Sequence, residues 1–379
     1  MANMLDYLAW RGDIALTERP FNEVDNLILS ELAYARFEDI VPGPEAGGEV
    51  TLARAAARYR ELGYTSALIN DPGALLAAAG ESARFSGVRL SRYVNRIDPA
   101  RAVQFSAVCF ALPDGTLYVA YRGTDDTLVG WREDFNFAFT RTIGQAEAAE
   151  YLNRAAAGFG GPLRVGGHSK GGNLAAYAAS FCAEDVKARI LNVYSNDGPG
   201  FNQSVARSAE YGAMLDRISL IIPESSLVGV LLDNRAKRRV VKSSASGVLQ
   251  HNPLTWQVRG TAFEGVDGQS AASLFMDETL GRWLDGLSDE QRRNLVSAIF
   301  DSMDASGAVT LAEMNENKWD SYGAILKAAG EIDPAVRKDV LNTLGKLANA
   351  GRDVFLEDAR ASLERWLDQT AQRFRPEWK

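Results

Sequence analysis

The sequence predicts an α/β fold: a mostly parallel central sheet flanked by helices and followed by a C-terminal helical region. Three observations carry this. From Leu163 onward, short apolar runs alternate with helical stretches, the pattern of a parallel sheet covered by helices. A glycine-flanked turn, Gly167-His-Ser-Lys-Gly171, separates a β-rich run from a helix of small residues. Beyond about residue 270 the strand pattern stops and only helical periodicity remains.

The elements follow in order. Asn22 to Phe37 (NEVDNLILSELAYARF) spaces its leucines as a helix does, with acids near the start, where the helix macrodipole favours them. After the break PGPEAGG, the run TLARAAARYRELG reads as another helix. VQFSAVCFAL and TLYVAYRG flank Pro113-Asp-Gly and read as a β-hairpin. Strand LRVGG, a helix from about Gly171 to Cys182, strand RILNVYS, a short helix near Gln203 to Tyr211, and strands RISLIIP and RRVVKSS then build the sheet. The last of these leads to Gln250-His251-Asn252-Pro253. Segments such as EQRRNLVSAIFDSM and AVRKDVLNTLGKL are helical, so residues 269–379 form the helical region behind a main domain spanning 1–268.

Composition narrows the function. The 379 residues, 46% hydrophobic and 24% charged, suit a water-soluble domain with a sizeable core. A net charge of −8 opposes binding to a phosphate backbone, so nucleic acid is not an expected partner. No apolar run reaches the ~18 residues of a membrane span, and MANMLDYLAWRGD lacks the basic and long apolar segments of a secretory signal. The expected location is the cytoplasm. Cys109 and Cys182 lie in apolar surroundings outside any short paired motif and read as buried small hydrophobes. Ser302 to Glu313 matches parts of a calcium loop, with Gly307 at position six and Glu313 at twelve, yet only Asp304 and Glu313 supply charge. No metal and no cofactor are expected.

Gly167-His-Ser-Lys-Gly171 fits G-x-S-x-G, whose glycines let strand and helix meet at a sharp turn that lifts the serine into an exposed, strained position. Ser169 is therefore the candidate nucleophile. It needs a base, and the chain has only two histidines. His168, across the elbow from its neighbour, points away and suits packing or pocket lining. His251 remains, and its place after the last strand agrees with the chain order Ser, acid, His of α/β-hydrolases. Two acids follow successive strands: Asp197 in Asn196-Asp-Gly-Pro-Gly-Phe201 and Glu224 in Pro223-Glu-Ser-Ser, with Asp233 a weaker third. For the oxyanion, one donor is the N–H of Lys170, directly after the nucleophile. The other is expected from Tyr121-Arg-Gly-Thr-Asp-Asp126, where Thr124 offers an N–H and a hydroxyl.

YRGTDDTLVGWREDF followed by VGGHSKGGNLAAYAA resembles the class 3 lipases, the fungal triacylglycerol-lipase group. That resemblance covers the middle third of the chain and implies Ser169 as nucleophile and Thr124 in the oxyanion hole. Over its whole length, including the opening text, NEVDNLILS, SNDGPGF, the Gln250-His251 segment and the helical tail, the chain is more closely similar to the bacterial Mbeg-like family, which is α/β-hydrolase-like. Two departures from the lipase pattern stand out. Lys170 replaces the usual leucine, and Ser225 or Ser226 stands where the lipases carry their acid, which favours Asp197.

The expectation is thus a serine hydrolase of the lipase or esterase kind, acting on a small-molecule acyl substrate through Ser169, His251 and Asp197, with Thr124 and Lys170 at the oxyanion and Glu224 as alternative acid. Trp131, Phe135, Phe137 and Phe139 either line an acyl pocket, form a lid or belong to the core. The rival expectation is a non-catalytic scaffold or partner-binding protein that keeps the hydrolase fold. Oligomeric state has no signature in the sequence.

Overall fold

The computed structural model describes residues 2–64, 72–98, 103–124, 142–226, 228–245, 247–270 and 273. The expected helical region from 269 onward, the calcium-loop-like segment and the four aromatics between 131 and 139 lie almost wholly outside them.

Among the described residues, eight strands form one sheet in chain order: β1 (Val50–Thr51), β2 (Arg89–Asp98), β3 (Val103–Ala111), β4 (Leu117–Tyr121), β5 (Leu163–His168), β6 (Ile190–Asn196), β7 (Ile218–Pro223) and β8 (Arg238–Val241). β1 to β4 pair antiparallel, and β4 to β8 pair parallel. The expected hairpin is β3–β4. A small second sheet pairs β9 (Val258–Arg259) with β10 (Ala262–Phe263).

Strand alternation sorts the core into two layers, because successive side chains point to opposite faces. Leu117, Val119 and Tyr121 pack on one side with Val165 and Leu174; Tyr118 and Ala120 pack on the other with Leu27, Ile28 and Trp256. The first layer carries the helices Ile143–Ala157 and Lys170–Phe181. The second carries Met4–Arg11, Glu23–Leu32, Leu52–Glu61 and Pro72–Glu81. In chain order these six are α1 (Met4–Arg11), α2 (Glu23–Leu32), α3 (Leu52–Glu61), α4 (Pro72–Glu81), α5 (Ile143–Ala157) and α6 (Lys170–Phe181). Burial on both faces explains the nearly continuous apolar text of β4 to β7.

Helix α2 is the element that most exceeds its sequence reading. Asn22 caps it and Asp25 closes a capping box, so the helix starts as expected, yet it ends at Leu32 rather than Phe37. Its polar residues Asp25, Asn26, Ser30 and Glu31 are all buried. Asp25 answers to more than the macrodipole: the Arg84 guanidinium grips both its oxygens at 2.7 and 2.5 Å, and the Tyr7 hydroxyl donates to it at 2.8 Å. Asn26 bonds Asn196 at 2.9 Å and accepts from the Tyr118 hydroxyl at 2.7 Å. α2 comes this close to β5 because Gly166 has no side chain; a Cβ there would lie 2.0 Å from the Tyr118 hydroxyl and 3.0 Å from Asn26 Oδ1.

The predicted short helix near Gln203 to Tyr211 is broken in two, Gln203–Ala206 and Ala209–Met214, with Ser208 capping the second through the Tyr211 N–H. Both cysteines are free and buried, and burial pushes each thiol up to about 11. Among the described residues, no helix is long and apolar enough to cross a membrane.

Candidate active site

Parallel strands bring their carboxyl ends to one edge, where α/β folds gather functional groups. β4 ends at Tyr121, just before Gly123 and Thr124; β5 ends at His168, just before Ser169; β6 ends at Asn196, just before Asp197. The Ser169 N–H donates to the Asn196 carbonyl at 2.9 Å, and the Asp197 N–H to the Ile221 carbonyl at 2.7 Å, so both turns stay tied to the neighbouring strand.

Ser169 adopts φ +56°, ψ −131°, a sparsely populated backbone region for a residue with a side chain. The two motif glycines make room for it. A Cβ on Gly167 would lie 2.3 Å from the Gly171 carbonyl carbon, and one on Gly171 would lie 2.1 Å from the Tyr121 carbonyl oxygen. Only hydrogens fit between strand, turn and helix. Ser169 is half-buried and stands at the N-terminus of α6, whose macrodipole favours negative charge there. Lys170 is the first residue of that helix, so the helix itself offers its N–H no acceptor. The Lys170 side chain is buried and its Nζ donates to Gln104 Oε1 at 3.3 Å, so its ammonium runs into the fold.

From β4, Gly123 packs against the Ser169 turn; a Cβ on it would meet Ser169 Cβ at 3.2 Å and the His168 carbonyl oxygen at 2.7 Å. Thr124 follows and is partly exposed. Asp125 and Asp126 lie outside the described residues.

His251 closes a 3-10 turn, Gly247–His251, and its side chain is 29% exposed. Its Nδ1 lies 2.7 Å from Oδ2 of Asp197, whose side chain is fully buried. A carboxylate only accepts, so the proton of this bond sits on Nδ1. The other carboxylate oxygen, Oδ1, accepts the Ser226 hydroxyl at 2.5 Å and the Gly229 N–H at 3.1 Å. Asp197 itself has φ +47°, in the left-handed region that aspartate tolerates better than most residues. Ser226, in the segment where the resemblance led us to look for an acid, is thus a donor to the acid one strand away. Glu224 is partly exposed, and its main chain bonds Val241 and Ser270. Asp233 pairs its backbone with Phe201.

His168 is more than packing. It is buried, its Nδ1 lies 3.0 Å from Glu31 Oε1, and its Nε2 lies 3.0 Å from the carbonyl oxygen of His251. The two imidazole rings sit 4.6 Å apart at 35°. The Gln250-His251 turn is held again by Trp256, whose indole N–H donates to the Gln250 carbonyl at 2.9 Å. Sequence reasoning passed over Glu31 because it is 137 positions from His168 in the chain. The available signal was a helix whose buried face carries four polar residues.

Searches of solved structures return lipases with low overall similarity. A Rhizomucor miehei lipase in its propeptide complex is 14% identical with a TM-score of 0.36, covering 67% of this chain and 77% of that one. A fungal lipase–inhibitor complex is 14% identical with a TM-score of 0.38, covering 68% and 95%. For the M37 lipase the values are 16% and 0.29, covering 36% of this chain and 54% of that one, so the chain spans about half the length of that lipase. No curated protein matches the sequence. The family model described as Mbeg1-like matches residues 79–301, more than half of the chain, and the protein belongs to the Mbeg1-like family.

Proposed function

We propose that the protein is a serine hydrolase cleaving an ester or related acyl bond of a small-molecule substrate. The observation that carries this reading is the buried Asp197 carboxylate 2.7 Å from His251 Nδ1, at the sheet edge where Ser169 occupies its strained elbow. An aspartate that fixes one imidazole tautomer leaves Nε2 as the base, the arrangement of a nucleophile–base–acid triad.

In the first step, Ser169 Oγ attacks the acyl carbon while His251 Nε2 takes the hydroxyl proton. The resulting imidazolium keeps its Nδ1–H on Asp197, and the oxyanion is held by the N–H of Lys170 and by Thr124. The proton on Nε2 then passes to the leaving alcohol as the acyl–oxygen bond breaks, giving an acyl-enzyme. In the second step His251 deprotonates a water, which releases the acid and restores Ser169. Ser226 and Gly229 keep Asp197 aligned through both steps.

A fluorophosphonate probe tests this. Its expected result is covalent labelling of Ser169 that Ser169→Ala abolishes and His251→Ala sharply slows. Folded wild-type protein that resists the probe would favour the non-catalytic scaffold.

A further inference from the structure

We propose that Glu31 and His168 form a positioning pair for His251, in which His168, anchored by Glu31, donates its Nε2–H to the main-chain carbonyl of His251 and fixes the ring of the base. The inference rests on the serine-hydrolase reading above and deepens it.

The chain geometry explains why these residues meet. Side chains alternate across a strand, so His168 leaves β5 on the same face as Gly166, toward α2, while the chain turns to present Ser169 at the edge. α2 approaches closely over Gly166 and delivers Glu31 there. Both histidine nitrogens then face oxygen acceptors: Nδ1 faces the Glu31 carboxylate, and Nε2 faces a carbonyl that can only accept. The doubly protonated ring pairs by charge with Glu31 across 3.0 Å and donates to the His251 carbonyl.

Four groups surround it. Glu31 comes from α2, the Tyr34 hydroxyl from the turn just after it, Asp197 from the end of β6, and His251 from the 3-10 turn. Burial pushes the His168 pKa down, but Glu31, then Asp197 and the His251 carbonyl, overcome it and hold the value above the ordinary 6.5. A space-filling role would be met by an apolar side chain, and burying a carboxylate costs several kcal/mol unless it is paired. What the pair supplies instead is a bond to the one residue whose placement the chemistry depends on.

Two neutral replacements separate the strut from mere stability. Glutamine extends its amide nitrogen toward the position of imidazole Nε2, and asparagine toward that of Nδ1. Both remove the charge facing Glu31, but only His168→Gln retains a donor aimed at the His251 carbonyl. With p-nitrophenyl acetate, His168→Asn is expected to lower kcat by roughly 30- to 100-fold with KM within about twofold, the scale of a misplaced catalytic group. His168→Gln should stay within about fivefold of wild type. Labelling by the fluorophosphonate should follow the same order. If a single variant does not fold, Glu31→Gln/His168→Asn and Glu31→Gln/His168→Gln carry the same contrast. Equal rates for the asparagine and glutamine variants, whether both native or both impaired, overturn the proposal. Wild-type protein that neither labels nor turns over would instead overturn the hydrolase reading beneath it.

Discussion

Replacing Asp197 with asparagine changes one atom in a fully buried site, and the surrounding donors dictate how the amide must sit. Oδ1 receives the Ser226 hydroxyl at 2.5 Å and the Gly229 N–H at 3.1 Å, so the amide oxygen stays on that side. Turning the amide over would set its NH2 against the Gly229 N–H and forfeit hydrogen bonds worth about 1 kcal/mol each. The NH2 therefore takes the position of Oδ2, 2.7 Å from His251 Nδ1 in the wild type. A donor at that place requires Nδ1 to accept, which moves the ring proton to Nε2 and caps the base. The loss expected from a wrong tautomer with intact geometry is about 10⁴ in kcat, or ~5.5 kcal/mol of transition-state stabilisation. Steady-state hydrolysis of a p-nitrophenyl ester measures it, with KM nearly unchanged. Glu224→Gln, which alters no side chain of this hydrogen-bond set, should fall within about twofold of wild type. An Asp197→Asn enzyme retaining more than a tenth of native kcat would refute the reasoning, and a large loss in Glu224→Gln would reassign the acid.

Two further outcomes are expected. In Gly229→Ala the new Cβ would lie 2.5 Å from both Asp197 Oδ1 and Ile222 Cγ2, so thermal or urea unfolding should show a loss of about 1–3 kcal/mol together with slowed probe labelling; native behaviour in both would mean the turn is not held as described. The Glu31–His168 pair makes stability depend on pH. Because the folded-state pKa of His168 is raised above 6.5, its contribution is fully present below about that value and is lost as pH rises through the folded pKa. Urea unfolding of wild type against His168→Gln should show the wild-type advantage shrinking with rising pH, and a difference that stays flat from pH 6 to 9 would contradict it.

The strands β5 to β8 were legible because a strand buried on both faces writes itself as a short apolar run, and the elbow because its glycines are steric necessities. β2 was not legible: Arg89–Asp98 lies toward the antiparallel flank, four of its ten residues are exposed, and its text RLSRYVNRID carries four charges. α5 was passed over because its alanine-rich text lacks a strong apolar stripe, although Thr142 and Gln145 form a capping box that marks its start. At the site, single residues at strand ends were readable from chain order, since parallel strands must deliver them to one edge. Partnerships across the chain were not. Ser226 with Asp197, and Glu31 with His168, depend on how α2 and the turn after β7 pack, which no local spacing encodes.

As a nucleophile activated by His251, Ser169 is open to direct chemical test. The most direct measurement is intact-mass and peptide analysis after exposure to a fluorophosphonate, with rates for wild type, Ser169→Ala and His251→Ala. One adduct per chain is expected, on Ser169, with none in Ser169→Ala and labelling of His251→Ala slower by at least about 10²-fold. Folded wild-type protein with no adduct, or an adduct on another residue that persists in Ser169→Ala, would contradict it.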